Sequence, residues 1–371
     1  MDRIDPAVPR PVGSTAPHRG HPGHPGHPGQ VGQDCRDGSW VVGIDVGGTG
    51  VRLALAPGGW PADLAGARTD RIAAPARITA GGHDAQALLS RVLPALGTLI
   101  AGLPPVARIG AVAVGATGMA LLGRDLAREL PVPLARATGA DRLVLAGDAV
   151  TAHVGALGRR PGVAVAAGTG LVAIGVHPDT GWHRADGWGQ LLGDCGSGGW
   201  IGRAGLESAL RAHDGRTGGS AVLLASAERR YGPVAGLPAA LQPRPDRAAL
   251  LAAFAPDVVD AADDGCPVAG AIVRRAGEEI ADAAAAAVRA VGLPDPRVAL
   301  TGGLFALDRL RGAALAALTD RLPTARPHRP DGPPLLGALR LAASASGTAL
   351  PWPVDPPLLD VRTLTDGRGG L

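Results

Sequence analysis

The stretch Gly43-Ile44-Asp45-Val46-Gly47-Gly48-Thr49-Gly50 decides the fold. An apolar, β-branched run from residue 40 enters this stretch, and a second run over residues 51–56 follows it, which predicts a β-hairpin. Glycines in the turn let backbone amides approach an anion closely, and Thr49 adds a hydroxyl donor. Asp45 lies just before the turn, where a carboxylate can hold Mg²⁺ directly or through water. We therefore predict a phosphate-binding turn with a metal ligand beside it; a plain hairpin turn with a structural Asp is the alternative.

A second stretch repeats this pattern about 120 residues later. It reads Val163-Ala164-Val165-Ala166-Ala167-Gly168-Thr169-Gly170, and the strand pattern resumes over residues 171–176. Alone it would be an ordinary hairpin. Together with the first stretch it predicts two similar halves, whose turns grip one polyphosphate from opposite domains.

Two shorter motifs lie at the ends of predicted strands. Asp148, in Gly147-Asp148-Ala149, falls at a strand-to-helix junction, where it is either a helix N-cap or a general base at the mouth of a cleft. Gly302 and Gly303 follow the predicted strand Arg297–Thr301 and precede a helix. Two glycines at that point suit a close approach of the backbone to a nucleotide.

The most unusual stretch is Asp186-Gly187-Trp188-Gly189-Gln190-Leu191-Leu192-Gly193-Asp194-Cys195-Gly196-Ser197. Core packing does not explain so many glycines beside a tryptophan and two carboxylates. A tryptophan offers a flat apolar face to a sugar ring, and aspartates accept hydrogen bonds from its hydroxyls. The pattern predicts a loop shaped around a polar ligand.

Composition excludes several classes of protein. The 371 residues carry 36 basic and 33 acidic side chains, for a net charge of +3, and 46% are apolar, which is enough for a sizeable core. Every basic residue is Arg; the absence of Lys excludes a P-loop and a Schiff-base enzyme. The small net charge and the aromatic content of 2% argue against nucleic acid as a partner.

The three cysteines, Cys35, Cys195 and Cys266, are far apart and form no CxxC pair. This spacing favours neither a zinc site nor a disulfide framework and fits a reducing compartment. The sequence has no signal-peptide pattern and no apolar run long enough to cross a membrane. We expect a soluble, cytoplasmic protein without a membrane partner.

The chain divides into four predicted regions. Residues 1–38, with a repeated His-Pro-Gly segment, predict a disordered tail, for which metal binding is the alternative. Residues 39–140 predict an N-terminal domain that a helix over 335–346 completes, and residues 141–334 predict a C-terminal domain. Residues 347–371 predict a loosely ordered tail. The expected fold class is α/β with two domains.

The five motifs, in this order, resemble the BadF/BadG/BcrA/BcrD-type ATPases and especially the N-acetylglucosamine kinases among them. The resemblance covers roughly residues 40–346, and its most specific part is Gly187–Ile201. That family belongs to the superfamily of sugar kinases, heat-shock chaperones and actin. The resemblance implies a two-domain actin-like ATPase (ribonuclease H-like) fold, with nucleotide and sugar in the cleft between the domains.

The resemblance also implies roles for individual residues. Asp148 matches the catalytic aspartate, and the metal expected at Asp45 is Mg²⁺. The residues that match the ATP-binding motifs are Gly47, Gly48, Thr49, Gly168, Thr169, Gly170, Gly302 and Gly303. Those that match the sugar-binding stretch are Gly187, Trp188, Gly189 and Asp194.

The implied activity is ATP-dependent phosphorylation of an amino sugar, N-acetylglucosamine, at its 6-hydroxyl, by a homodimer. The sequence departs from the family pattern at Cys195, where members usually have Glu, and at Leu171 and Val172, where a Ser-Asn pair often follows the second turn.

Two other functions stay open at this point. Some relatives are ATPase activators that energise an electron-transfer or dehydratase system and hold a cluster through cysteines, but the cysteines here lie in different contexts. A non-catalytic sugar sensor is the other alternative. No helix-turn-helix pattern precedes residue 40, and the presence of Asp148 argues against lost catalysis.

Overall fold

The structure is a computed structural model that describes residues 38–48, 50–61, 63–73, 78–79, 82–119, 123–244, 246–347 and 350–364. Three features of the sequence analysis lie outside the described residues: the predicted tail up to residue 37, Cys35, and Thr49 of the first turn.

The strands of the described chain form two larger sheets and one two-stranded ribbon. In chain order they are β1 (Ser39–Gly47), β2 (Gly50–Pro57), β3 (Arg68–Ile72), β4 (Ile78–Thr79), β5 (Gly82–His83), β6 (Arg108–Ala116), β7 (Arg142–Gly147), β8 (Gly162–Ala167), β9 (Leu171–His177), β10 (Gly181–Asp186), β11 (Arg297–Thr301), β12 (Arg326–His328) and β13 (Leu359–Thr363).

Helices fill the connections between these strands. They are α1 (Ala85–Ala101), α2 (Arg124–Glu129), α3 (Pro131–Thr138), α4 (Asp148–Leu157), α5 (Gly198–His213), α6 (Ala221–Tyr231), α7 (Leu237–Leu241), α8 (Arg247–Ala252), α9 (Ala255–Asp263), α10 (Pro267–Val291), α11 (Asp308–Arg321) and α12 (Pro334–Ala345), with short 3-10 turns at Val234–Gly236 and Gly303–Ala306. None of the helices in the described ranges is long and apolar enough to cross a membrane.

The two sheets share one topology apart from β13, an additional edge strand of the first sheet that is antiparallel to β7. The first has the strand order β13-β7-β6-β1-β2-β3, and the second has the order β10-β9-β8-β11-β12. In each, an antiparallel meander (β1-β2-β3 or β8-β9-β10) continues into parallel strands. The predicted fold class is thereby confirmed as a two-sheet α/β fold. The β1 segment from Val41 to Val46 is buried throughout, as expected for a strand covered on both faces.

Helix α4 lies between the sheets and packs against strands of both. It crosses α12 closely at Gly337, where a side-chain carbon would lie 1.9 Å from the carbonyl oxygen of Thr151. One apolar cluster contains Val150 of α4, Leu339 of α12, Ala113 of the first sheet and Ile174 of the second. The two sheets therefore share a continuous core that runs through these two helices.

The C-terminal end of α4 is held by a buried guanidinium. Arg340, only 3% exposed, donates from Nη1 to the carbonyl oxygens of Val154 at 3.1 Å and Gly155 at 3.2 Å, and to Oδ2 of Asp331 at 3.2 Å. The backbone N–H of Asp331 donates to the carbonyl of Ala156, and that of Gly332 donates to the carbonyl of Gly155 as well. Donors thus cover helix carbonyls that would otherwise lack partners.

Two parts of the predicted organisation differ from the structure. The boundary predicted after residue 140 would divide the first sheet, because β7 pairs with β6 in parallel. The segment expected to be loosely ordered contains β13, which pairs with β7, and Trp352 and Leu359 are buried. Apolar side chains at these positions pack on the first sheet, which orders a segment rich in proline.

Candidate active site

The predicted site residues lie at the carboxyl ends of parallel strands. In the first sheet Asp45 is level with Gly115, and Ala116 is level with Gly147, so β1, β6 and β7 end together. In the second sheet, β8 and β11 also run in parallel and end together. In open α/β sheets this edge is where ligands bind.

Asp45 is a buried carboxylate at the end of β1. It is 4% exposed, and its Oδ2 accepts a hydrogen bond from Nη1 of Arg52 at 3.0 Å. Burial raises the pKa of Asp45, Arg52 opposes that rise, and the charge of Asp148 adds to it. Asp45 and Asp148 are therefore close enough for their charges to interact across the strand ends.

Asp148 is the first residue of α4, and Gly147 occupies the N-cap position. Because Gly147 is the N-cap residue, the alternative in which Asp148 caps the helix is wrong. The Oδ2 atom of Asp148 accepts a hydrogen bond from Oγ1 of Thr117 at 2.8 Å, and its Oδ1 atom accepts one from the backbone N–H of Ala149 at 2.9 Å. Thr117 is itself tied to the first hairpin, because its N–H donates to the carbonyl of Val46 at 3.1 Å. These bonds fix the orientation of the carboxylate.

The first turn leaves its backbone open. A side-chain carbon at Gly48 would meet nothing within 4 Å, and one at Gly47 would have its nearest neighbour at 3.7 Å. Amide groups in such a turn are accessible to an anion.

The second turn rests on the start of helix α5. The N–H groups of Gly198 and Gly199 donate to the carbonyls of Gly168 at 2.9 Å and Thr169 at 3.0 Å. Within the turn, the N–H of Gly168 donates to the carbonyl of Gly170 at 2.9 Å. The helix start thus binds the turn's carbonyls.

Gly302 completes this edge of the second sheet. Its φ is +104°, and a side-chain carbon there would lie 2.2 Å from the carbonyl oxygen of Ala167 at the end of β8. Only glycine fits both requirements. At Gly303 the space is open, with no atom within 4 Å of a side-chain carbon.

The loop between β10 and α5 carries the predicted sugar-binding residues. Gly187 and Gly189 have φ values of +77° and +85°, which place Trp188 between two left-handed residues. Trp188 is 60% exposed, and the guanidinium carbon of Arg184 lies 4.4 Å from its ring centroid. An exposed indole at a strand-end edge can present an apolar face to a ligand.

Asp194 brings this loop against the second turn. Its Oδ1 accepts a hydrogen bond from the N–H of Gly189 at 3.2 Å, and a side-chain carbon at Gly170 would lie 2.6 Å from its Oδ2. Burial raises the pKa of Asp194, and the charges of Asp186 and Asp148 add to the rise. Asp148 therefore interacts electrostatically with carboxylates at both turns.

Cys195 is not set up as a nucleophile. Burial raises the pKa of its thiol, and the nearby charges of Asp186 and Glu279 raise it further. A thiol in such surroundings stays protonated at neutral pH.

The carboxylates fit a magnesium ion shared with a phosphate ligand. In the described ranges, no group of three or more His, Cys, Asp and Glu side chains converges as a metal site. Magnesium, however, usually keeps several waters and takes only one or two protein carboxylates in addition to substrate phosphates. The buried Asp45, with Asp148 nearby, meets that requirement.

Three residues of this region were not predicted as site residues. Thr117 orients Asp148, Arg52 pairs with Asp45, and Asp186 accepts a hydrogen bond from the loop between β10 and α5. Thr117 follows a buried strand within Gly115-Ala116-Thr117-Gly118, which is the same signal that identified the two turns. Asp186 opens the glycine-rich stretch that the sequence analysis identified as a ligand loop, whereas no pattern in the sequence marks Arg52.

The sequence model of the BadF/BadG/BcrA/BcrD ATPase family matches residues 42–342 of the chain. A curated N-acetylmuramic acid/N-acetylglucosamine kinase from Clostridium acetobutylicum is 35% identical over 75 residues, which are 20% of this chain and 24% of that protein. The chain thus matches only about a quarter of the length of that relative.

Two crystal structures are similar over most of their length. A candidate N-acetylglucosamine kinase from Chromobacterium violaceum has a TM-score of 0.61 and 30% identity, and the match covers 82% of this chain and 99% of that one. A second candidate from Porphyromonas gingivalis has a TM-score of 0.60 and 20% identity, over 81% and 96% of the two chains, and shows the fold alone. The resemblance and the fold class predicted from the sequence are both confirmed.

Proposed function

The chain belongs to the BadF/BadG/BcrA/BcrD ATPase family, and on that premise we propose that it is an ATP-dependent kinase that phosphorylates the 6-hydroxyl of N-acetylglucosamine. One observation carries the proposal: the carboxylate of Asp148, held by Oγ1 of Thr117 at 2.8 Å, lies at the edge where β1, β6 and β7 end together beside the first glycine turn. The names of the relatives from Clostridium acetobutylicum and Chromobacterium violaceum support the same class of substrate.

Asp148 is the proposed general base. Thr117 and the N–H of Ala149 orient its carboxylate, and the proton of the attacking hydroxyl passes to one of its oxygens. A positioned base contributes typically about 10²–10⁴ in rate. In this proposal the hydroxyl acceptor and the terminal phosphate meet beside the carboxylate of Asp148.

The two glycine turns are the proposed polyphosphate site. Gly47, Gly48 and Thr49 would offer amides and a hydroxyl from the first turn. In the second turn Thr169 and Gly170 would do so, while the N–H of Gly168 donates to the carbonyl of Gly170 and keeps the turn closed. Gly302 and Gly303 lie beside the second turn and suit the nucleoside end of ATP. Phosphoryl transfer depends mainly on such positioning and on charge stabilisation.

Asp45, with Asp148 nearby, would hold Mg²⁺, which when bound neutralises charge on the phosphate oxygens. The loop residues Gly187, Trp188, Gly189 and Asp194 would bind the sugar, with the indole against its apolar face and the carboxylate on its hydroxyls. Each sheet is proposed to be the centre of one domain, with the ligands between them. The homodimer and the cytoplasmic location stay predictions from the sequence.

The test is an ADP-release assay with Mg-ATP and a panel of glucose, glucosamine, N-acetylglucosamine and N-acetylmuramic acid. We expect ADP release that depends on N-acetylglucosamine and a product whose phosphate is on the 6-hydroxyl, as identified by NMR. ADP release that occurs with a different sugar and not with N-acetylglucosamine would contradict the substrate assignment. Slow release that ignores every sugar would contradict the kinase function and favour the ATPase activator, for which iron content is the next measurement.

A further inference from the structure

Asp186 and Asp194 lie at the two ends of the loop that carries the predicted sugar-binding residues, here called the sugar loop. Both aspartates have an unusual backbone conformation. Asp186 has a φ of +60° and Asp194 a φ of +54°, and they are the only non-glycine residues with a left-handed φ in the part of the chain that the structure describes. This conformation is unfavourable for residues with a side chain and is least so for Asp and Asn. Such outliers persist where surrounding contacts hold them, and they concentrate at ligand sites.

The contacts that hold this loop come from the carboxylate of Asp186. Its Oδ1 accepts the N–H of Asp194 at 2.7 Å, and its Oδ2 accepts the N–H of Cys195 at 2.9 Å. One side chain at the end of β10 therefore closes the loop into a ring. The fit is tight, because a side-chain carbon at Gly193 would lie 2.3 Å from Oδ1 of Asp186.

The ring determines where the second aspartate points. Asp186 is fixed to the sheet through its pairing with Val172 of β9, next to the second turn. From that anchor it sets the backbone of Asp194, whose own carboxylate accepts the N–H of Gly189 and lies against Gly170. The chain of contacts thus runs from the sheet through Asp186 to the loop and back to the second turn.

We propose that Asp186 is a positioning residue for the sugar: it orients Asp194 and the loop for substrate without touching the substrate itself. This inference rests on the proposed kinase function. Both carboxylate oxygens of Asp186 accept hydrogen bonds from backbone donors of the loop, whereas the indole of Trp188 is 60% exposed and open to a ligand.

Two variants separate the hydrogen bonds from the backbone conformation. Asp186→Asn keeps the shape of the side chain, and Asn also tolerates a positive φ. It replaces one acceptor oxygen by an N–H₂ donor that faces a backbone N–H, so one hydrogen bond is lost. Asp186→Gly accepts positive φ freely and removes both acceptors. Asp179→Asn, on the exposed β9–β10 turn with a side chain 88% exposed, is the matched control.

We expect both variants to raise KM for the sugar by about tenfold to a hundredfold, while KM for ATP stays within about twofold, because a small displacement at a substrate site costs about that much. Amide hydrogen exchange should become faster over residues 187–195 and stay unchanged in the first sheet. The control variant should behave as the wild type.

Equal changes in the two KM values, or unchanged kinetics and exchange in both variants, would overturn the role of Asp186 and leave the kinase function intact. Wild-type protein without sugar-dependent ADP release would instead overturn the kinase function, and the role of Asp186 with it.

Discussion

The two ends of helix α4 lie in opposite chemical surroundings. At the N-terminal end, Asp148 adds its charge to those of Asp45 and Asp194. At the C-terminal end, Arg340 and two backbone N–H groups cover the carbonyls. Both arrangements suit the helix dipole, which favours anions at the first turn and cations at the last. Only the N-terminal end, however, gathers like charges, and it is the end at which we propose that the reaction takes place.

The largest effect is expected from a substitution at the N-terminal end of α4. Asp148→Asn removes the proposed base while keeping the shape of the side chain, so we expect sugar-dependent kcat to fall by about 10²–10⁴. Affinity for ATP and thermal stability should change little. Steady-state kinetics, titration calorimetry with ATP and melting curves measure the three quantities. Asp141→Asn, an exposed Asp before β7, is the control, and full activity in Asp148→Asn would remove this residue from the reaction.

The second prediction concerns a substitution that removes contacts from the C-terminal end of α4. Arg340→Met keeps an apolar stem but removes a buried charge that contacts α4 and Asp331, and we expect a loss of about 3 kcal/mol in the free energy of unfolding. Activity per folded molecule should stay near that of the wild type. Denaturant unfolding measures the loss.

Arg159→Met is the matched control for this change, because Arg159 stacks on the same Trp60 ring but is exposed. If Arg340→Met lost kcat without losing stability, the two ends of α4 would not be functionally separate.

The third prediction concerns His153, in the middle of α4. Complete burial lowers the pKa of His153 to about 4, and its ring Nε2–H donates to the carbonyl of Gly162 at 3.2 Å. Between pH 6.5 and 4 the unfolded chain therefore binds a proton that the folded chain does not, so stability falls as the pH falls. For this group we expect a loss of about 2 kcal/mol between pH 7 and pH 5.

His153→Gln, which keeps a donor and does not titrate, should flatten this part of the pH dependence. Unfolding curves at both pH values test it. Parallel curves for the two proteins would mean that His153 does not contribute.

The smallest effect is expected from a substitution that removes one hydrogen bond at the N-terminal end of α4. Thr117→Val deletes the 2.8 Å hydrogen bond to Asp148 but leaves the carboxylate in place. A net loss of about 1 kcal/mol corresponds to about a fivefold fall in kcat. KM for ATP should not change. An effect as large as that of Asp148→Asn would mean that Thr117 takes part in the reaction directly.

Local patterns in the sequence were sufficient for most elements. Strand β11 has the predicted bounds Arg297–Thr301, because a short apolar run followed directly by two glycines marks it. Asp148 and the two turns could be located in the same way, because each directly follows a buried strand. Their roles in catalysis and binding stay predictions.

Contacts between distant segments could not be predicted. The pairing of β13 with β7 joins segments about 200 residues apart, and nothing local in Leu359–Thr363 specifies its partner. Arg340 is a single charge in an apolar helix pattern, and its partners at Val154 and Asp331 lie on other elements. Such pairings depend on the assembled core, which a single-sequence pattern does not contain.

The position of β13 also orders events during synthesis. The second sheet is complete once residue 328 has been made, whereas the first sheet, begun at residue 39, needs α12 and β13. A ribosome that adds about 5–20 residues per second takes roughly 10–40 s to travel from β7 to β13. During that interval β7 is an uncovered sheet edge, the kind of surface to which other chains attach. The first sheet to start is therefore the last to finish, and β7 stays at its edge until β13 has been made.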